Sequence, residues 1–151
     1  MSQLTDEQLD RYARHIVLRD IGGAGQKKIL EAHILVVGAG GIGCPAIQYL
    51  AAAGIGALTI VDDDVVSLSN LQRQILFTAD DIGRPKVDAA GDFAKRLNPD
   101  IRINKVNQRL TAQHLGGDSA AFFAPFDVIV DGTDNYQTRL LVSDLSVAHR
   151  V

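Results

Sequence analysis

Short runs of apolar residues alternate along this chain with longer segments in which apolar residues recur at helical spacing. The clearest runs are HILVV at His33–Val37 and ALTIV at Ala57–Val61. The first run has no polar alternation, which is typical of parallel strands that are covered on both faces. Two further strands are predicted over residues 101–106 and 126–130.

Helices are predicted before the first strand and between the strands that follow. An amphipathic helix is expected over residues 5–19, because apolar residues recur there at helical spacing. The three glycines at 22, 23 and 25 predict a break before a short helix over 26–31. The remaining predicted helices are an alanine-rich one that ends at Gly54, one over Lys86–Leu97 and one over 136–150.

This alternation of strands and helices predicts an α/β fold with right-handed crossovers. The expected class is a Rossmann-like, doubly wound, mainly parallel sheet with an N-terminal helical arm. We expect two units, an arm over residues 1–31 and a nucleotide-binding domain over residues 32–151.

Composition narrows the function classes. The chain has 151 residues, of which 46% are hydrophobic, so it is long enough to bury a core. Fifteen basic and eighteen acidic residues give a net charge of −3, which argues against a nucleic-acid partner. A single cysteine provides neither an internal disulfide nor a structural zinc site. No apolar run reaches the ~20 residues that span a membrane. We therefore expect a cytoplasmic protein with no membrane partner.

A glycine-rich loop follows the first predicted strand. Gly38, Gly40 and Gly43 spell G-x-G-x-x-G directly between that strand and a helix. In this position the glycines permit a tight turn, a close approach of backbone to phosphate and close helix–strand packing. The pattern predicts a nucleotide site, and tight packing without a ligand is the alternative.

An acidic run ends the second predicted strand. Asp62 stands where an acid accepts hydrogen bonds from ribose hydroxyls, whereas Asp63 is expected to be a solvated loop residue.

The next segment carries more cationic and polar groups than a dinucleotide needs. Asn70, Arg73 and Gln74 follow the acidic run, and Lys86 stands in the first turn of the next predicted helix. Arginine and lysine suit the larger charge of a nucleoside triphosphate. For Arg73 the alternative is a surface position, and for Lys86 a solvated helix start, although a cation is disfavoured at a helix N-terminus.

The fourth predicted strand ends in Asp131-Gly132-Thr133-Asp134-Asn135. Acidic residues at such an edge hold Mg²⁺ against phosphate oxygens, whereas Asp134 or Asn135 could instead cap the last helix. Cys44 is expected to serve packing. The four histidines have no metal-ligand spacing, and we expect them to be structural or exposed.

Several segments together resemble the ThiF/MoeB/HesA family, the bacterial relatives of ubiquitin-activating enzymes. They are TDEQLDRYARHIVL near the start, GAGGIGCPAIQYLAAAGIGALTIVDDDVVSLSNLQRQILF, GRPK at 83–86 and DGTDN at 131–135. The resemblance implies an adenylyltransferase that binds ATP and Mg²⁺. Its partner would be a ubiquitin-like sulfur-carrier protein, whose C-terminal Gly-Gly carboxylate becomes an acyl-adenylate for thiamine- or molybdopterin-type sulfur transfer.

Matching positions carry the implied roles onto this chain. Arg14, Arg73, Lys86 and Asp134 are implied to be catalytic, with Asp134 as the Mg²⁺ ligand and Arg14 reaching the partner's ATP in a homodimer. From the residues alone, Arg14 could equally pair with Asp10 on an exposed helix face. The implied nucleotide-binding set is Gly38, Gly40, Gly41, Gly43, Asp62, Asp64, Ser69, Asn70, Leu71, Gln72, Arg73, Gln74, Lys86, Asp134 and Asn135.

The sequence also departs from the family pattern. Family members continue beyond the last predicted helix, with later strands, much of the carrier-binding surface and, in many members, cysteine pairs that bind zinc. These features are absent here, so we expect a truncated chain that carries the nucleotide-binding part. Two alternatives remain: an NAD-dependent oxidoreductase, and a non-catalytic fragment that dimerises as a scaffold.

Overall fold

Four parallel strands form one sheet in the computed structural model, which describes residues 4–113 and 119–151. The sheet order is β3–β2–β1–β4. Because β1 lies between β2 and β4, the direction of sheet growth reverses there, which creates a topological switch point. The predicted Rossmann-like, mainly parallel fold is confirmed. The strands are β1 (His33–Val37), β2 (Ala57–Val61), β3 (Arg102–Val106) and β4 (Val128–Asp131).

Helices cover both faces of the sheet and explain why β1 and β2 are apolar throughout. The helices are α1 (Asp6–Arg11), α2 (Ala13–Ile16), α3 (Gly22–Glu31), α4 (Gly43–Ala53), α5 (Lys86–Leu97), α6 (Ser119–Phe123) and α7 (Tyr136–His149). Val36 and Ile60 belong to the core cluster that includes residues of α4 and α5, whereas Leu35 and Val61 belong to the cluster with residues of α6 and α7. Successive strand residues thus enter opposite cores.

The N-terminal arm differs from its prediction. The helix expected over 5–19 is wrong, because the chain forms α1 and α2 with a break at Tyr12. Tyr12 is 1% exposed and fills the space over Gly54, where an added Cβ would lie 2.3 Å from the tyrosine ring. Gly54 has φ +85°, so it ends α4 in the left-handed region and leaves room for the ring.

The predicted glycine break is also wrong, since α3 starts at Gly22 and includes all three glycines. Tertiary contacts stabilise this helix against its low intrinsic propensity. Gln26 is fully buried, donates from Nε2 to the carbonyl of Ala53 (3.0 Å) and pairs through Oε1 with His15 (2.9 Å).

Smaller differences concern element ends. β3 starts at Arg102 and β4 starts at Val128. Phe126, which was expected in β4, lies before the strand and packs edge-on against the His33 ring, with centroids 4.7 Å apart. Helix α6 and two 3-10 helices, Leu68–Asn70 and Ala79–Asp81, were not predicted. Within the described ranges, no helix is both long and apolar enough to cross a bilayer.

Candidate functional site

A cavity of about 540 Å³ opens at the carboxyl end of the strands, where the switch point lies. The predicted residues that line it are Gly38, Gly40, Gly41, Asp62, Asp64, Asn70, Arg73, Gln74, Lys86, Asp134 and Asn135. These residues come from distant parts of the sequence, and the sheet brings them together.

Two glycines of the loop are required by backbone packing. Gly38 has φ +89°, and a Cβ there would lie 3.0 Å from the carbonyl of Gly132. A Cβ at Gly43 would lie 1.8 Å from the Gly38 carbonyl oxygen, which is an impossible contact. The loop after β1, the start of α4 and the end of β4 therefore meet backbone to backbone.

The other two glycines of the loop are not required by the protein's own packing. A Cβ at Gly40 would come no closer than 3.9 Å to any neighbour, and one at Gly41 would lie 3.8 Å from the Arg73 side chain. The N-cap residue of α4, Ile42, also makes no side-chain capping bond, so the first-turn amides of this helix lack that partner. Bare backbone beside such amides is the arrangement that binds phosphate at helix starts.

Asp62 is held firmly at the end of β2. Its Oδ2 accepts from the Ala39 amide (2.7 Å), and its Oδ1 accepts from the Asp64 amide (2.8 Å). Burial raises the pKa of Asp62, although these two hydrogen bonds act in the opposite direction. Each carboxylate oxygen keeps a further lone pair with which it can accept a hydroxyl.

Asp63 is exposed in the loop after β2, as expected of a solvated residue, but it also belongs to the site. It lines the cavity and forms an ion pair with Arg109, 3.3 Å away. The carboxylates of Asp62, Asp63 and Asp64 lie within 4.8 Å of one another. The cations of Arg109 and Lys86 pair with the latter two, so the acidic cluster is largely neutralised by the chain itself.

Lys86 is 4% exposed, so the alternative of a solvated helix start is wrong. Its Nζ donates to Asp64 Oδ2 at 2.9 Å, and its amide donates to the Asp64 carbonyl at the same distance. The segments after β2 and before α5 are further joined because the Val66 amide donates to the carbonyl of Arg84. A buried ammonium therefore faces the cavity at a fixed place.

Arg73 and Gln74 lie beside Lys86 on the cavity wall. Arg73 is exposed, and its Nη1 donates to the carbonyl of Ser69 (3.2 Å). Gln74 is 3% exposed, and its Oε1 has no hydrogen-bond partner among the described residues. Leaving a buried acceptor unpaired costs folding free energy, so this part of the cavity lining has a hydrogen-bonding group that a ligand can satisfy.

The end of β4 resolves the alternatives for its polar residues. Asn135 caps α7 by accepting from the Thr138 amide (3.0 Å). Asp134 is exposed, lines the cavity and forms no ion pair within the described ranges. The capping role thus belongs to Asn135, and the Asp134 carboxylate remains available to a cation.

Several predicted residues lie outside the cavity lining. They are Gly43, Ser69, Leu71, Gln72 and Arg14. Two of them support lining residues: Gly43 packs against the Gly38 backbone, and the Ser69 carbonyl accepts a hydrogen bond from Arg73. Arg14 is exposed on α2, and the ion pair in the arm joins Arg11 and Glu7 (3.5 Å) instead of Arg14 and Asp10.

Sequence reasoning missed two arginines that line the cavity. Arg109 follows β3 and pairs with Asp63, and Arg139 lies in α7 and contacts Asp131 and Thr133. Their only signal is position, because both follow the carboxyl ends of parallel strands. The other lining residues that were not predicted as site residues are Val37, Ile42, Val61, Asp63, Gln108, Leu110, Gly132, Thr133 and Thr138.

Cys44 serves packing, as predicted. It is fully buried, its Sγ donates to the Ala39 carbonyl, and burial raises the pKa of its thiol to about 11. The described histidines pair with protein groups: His15 with Gln26, His33 with Thr59 and His149 with Ser119. His114 lies outside the described residues.

A parallel sheet with a glycine loop at its switch point defines the class of Rossmann-like domains. Within that class, the chain belongs to the ThiF family, which matches residues 12–151. The family resemblance is thereby confirmed.

Individual relatives support the same assignment. The SAMP-activating enzyme E1 of Haloferax volcanii is 48% identical over 138 residues, which cover 91% of this chain and 50% of that protein. The sulfur carrier protein ThiS adenylyltransferase of Escherichia coli is 46% identical over 145 residues, covering 96% and 56%. The chain therefore spans about half the length of the curated relatives it matches.

A solved structure shows the same fold. The E. coli tRNA N6-threonylcarbamoyladenosine dehydratase TcdA, in complex with ATP, superposes with a TM-score of 0.87 at 26% identity. The match covers 97% of this chain and 58% of that one.

Proposed function

We propose that this chain is the nucleotide-binding part of an ATP-dependent adenylyltransferase. Its second substrate is the C-terminal Gly-Gly carboxylate of a ubiquitin-like sulfur-carrier protein. The observation that carries the proposal is the convergence of the glycine loop, Asp62, Arg73 and Lys86 on one cavity. The names of the relatives and the ATP in the TcdA structure support it.

Each group has a role that its surroundings support. Asp62 is fixed by two amides and accepts the ribose hydroxyls. The backbone of Gly40 and Gly41 and the start of α4 bind phosphate. The cations of Arg73 and Lys86 neutralise the remaining phosphate charge.

The reaction needs no nucleophile from this chain. A carboxylate oxygen of the carrier attacks the α-phosphorus of ATP, and a new O–P bond forms. The bond from that phosphorus to the bridging oxygen breaks, and pyrophosphate leaves with the electron pair. Positioning and charge neutralisation carry most of such a reaction, which agrees with the burial of Cys44.

Asp134 is the residue proposed to hold Mg²⁺. A carboxylate is a preferred ligand of this ion, and the exposed Asp134 has no competing ion pair among the described residues. When bound, the ion would neutralise phosphate charge.

Arg14 is proposed to act across a homodimer. It is exposed on α2 and lies outside the cavity of its own chain, so it is free to reach a partner's site. The bonds that Tyr12 and Gln26 make with the domain hold the short helix that carries it.

Calorimetric titration with ATP·Mg²⁺, and with NAD⁺ in parallel, tests the proposal. ATP should bind while NAD⁺ gives no signal, and Arg73→Ala should weaken ATP about tenfold or more, since bonds to charged groups are worth about 1.5–3 kcal/mol. Arg96→Ala is the matched control, because it removes an exposed arginine outside the cavity. NAD⁺ binding without ATP binding would overturn the proposal in favour of an oxidoreductase. A folded dimer that binds neither nucleotide would favour the scaffold.

A further inference from the structure

The strand order gives the cavity a direction. Asp62 lies at the end of β2, the glycine loop follows β1, and β4 lies on the far side of β1. The end of β4 touches the loop directly, because a Cβ on Gly132 would lie 2.9 Å from the Gly38 carbonyl oxygen. A nucleotide with its ribose at Asp62 and its phosphates on the loop therefore points toward the end of β4.

Arg139 is the cation that the structure fixes on this far side. Its Nε lies 3.6 Å from Asp131 Oδ2, and its Nη2 donates to the Thr133 carbonyl at 3.1 Å. Asp131 is itself held, because its Oδ1 accepts from the amide and the hydroxyl of Thr133. Within the described ranges, Nη1 has no partner, so an oriented edge of the guanidinium remains for a ligand.

The proposed reaction needs a cation at this place. A carboxylate that approaches the α-phosphate is repelled by it, and Arg73 and Lys86 belong to segments that follow β2, on the other side of the loop. The planar donor fork of arginine matches a carboxylate, and a fork that is already oriented loses little entropy on binding.

We propose that Arg139 binds the terminal carboxylate of the acyl substrate, within the same chain that holds the nucleotide. This inference rests on the proposed function. It adds a substrate-binding residue that the sequence did not single out, and it divides the cavity into a nucleotide side and an acyl side.

Peptide binding tests this division. The probe is a fluorescein-labelled peptide that ends in Gly-Gly, made with a free carboxylate and with a carboxamide. Binding is measured by anisotropy on the 151-residue chain with Mg²⁺ and an ATP analogue whose α and β phosphates are joined by a methylene group, so that no transfer occurs. The wild type should prefer the carboxylate, and Arg139→Gln should reduce that preference about tenfold or more.

Two further variants make the test specific. Arg139→Lys keeps the charge but loses the fork, and it should restore part of the preference. Arg96→Gln changes the net charge equally outside the cavity and should leave the preference intact. Thermal unfolding checks that each variant is folded.

The outcomes separate this inference from the proposed function. A wild type that binds the analogue but does not distinguish the two peptides overturns the role of Arg139. Weaker analogue binding by Arg139→Gln, with unchanged peptide preference, also overturns it, because the arginine would then serve the nucleotide. A wild type that does not bind the analogue at all overturns both proposals.

Discussion

The two ends of the parallel sheet carry similar polar side chains, but the hydrogen bonds of these side chains are satisfied within the protein to different degrees. At the amino end, Asn98 Nδ2 donates to the Tyr12 hydroxyl (3.0 Å) and to the Ala51 carbonyl (2.9 Å). His33 there pairs with Thr59 (2.9 Å), which also accepts from Asn104 (3.2 Å). At the carboxyl end, some polar groups pair with one another, but the Oε1 of Gln74 is unpaired among the described residues and the exposed Asp134 lines an open cavity without an ion pair among them.

This contrast distinguishes a structural polar network from a binding site. Residue type does not, because both ends contain amides, carboxylates and cations. A buried polar group whose hydrogen bonds are made within the protein stabilises the fold. A buried polar group that lacks a hydrogen-bond partner in the protein can form that bond with a ligand. The following variants test whether the two ends differ as this contrast requires.

The largest difference in stability is expected between alanine variants of two glycines of the same loop, Gly43 and Gly41. Gly43→Ala places a Cβ 1.8 Å from a backbone oxygen and should destabilise the protein by more than about 3 kcal/mol, the upper end of ordinary overpacking. Gly41→Ala meets only the flexible Arg73 side chain at 3.8 Å and should fold normally but lose ATP affinity. Urea unfolding and calorimetry measure the two effects. Equal loss of stability in both variants would contradict the distinction.

The next largest loss of stability is expected for a substitution at the amino end of the sheet. Tyr12→Ala removes a ring that is 1% exposed and should cost about 3–5 kcal/mol, as large-to-small core substitutions of aromatic residues do. ATP affinity should stay close to the wild-type value, because Tyr12 lies outside the cavity. Tyr12→Phe keeps the packing and should cost only about 1 kcal/mol for the lost hydrogen bond. A Tyr12→Ala chain that unfolds like the wild type would show that the arm is not anchored through this ring.

The sequence predicts most of the sheet and of the glycine loop because their signals are local. β1 and β2 are buried on both faces, so an unbroken apolar run is enough to predict them. The loop combines a strand, a glycine pattern and a helix start within a few residues. Lys86–Leu97 was predicted to the residue, because Pro85 and Asn98 mark its ends.

The parts that sequence missed depend on distant neighbours. The spacing of apolar residues in the arm gives no sign that Tyr12 turns into a slot over Gly54, and this contact divides the predicted helix. The partners of Gln26 likewise stabilise a glycine-rich helix that propensity alone disfavours. Arg139 is an ordinary helix arginine until the fold places it beside Asp131 and the cavity.

A pair of buried glutamines sharpens the comparison with a smaller effect. Gln26→Met removes both bonds of a satisfied side chain and leaves His15 unpaired, so it should cost about 1–3 kcal/mol. Gln74→Met removes an acceptor that has no partner among the described residues, so stability should be unchanged or higher. Thermal unfolding of the two variants measures the difference. If Gln74→Met were the more destabilised, the carboxyl end would be as complete as the amino end.

The smallest expected effect concerns a charged cluster outside the cavity lining, in which Asp92 pairs with Arg84 and Lys105. Hydrogen bonds from Lys105 and Arg84 lower the pKa of Asp92 below its usual 3.8. A carboxylate with a lowered pKa in the folded state adds stability above its unfolded pKa, and that stability is lost as the pH falls through the folded pKa. Acid should therefore destabilise the protein below about pH 4, and Asp92→Asn should make this loss shallower while leaving ATP affinity nearly unchanged at neutral pH. Asp80→Asn removes an exposed carboxylate that has no ion pair in the described part of the chain, and it should leave the acid profile as it is. If Asp92→Asn instead weakened ATP binding strongly, the cluster of Asp92, Arg84 and Lys105 would belong to the ligand-binding charges and not to the charges that are paired within the protein.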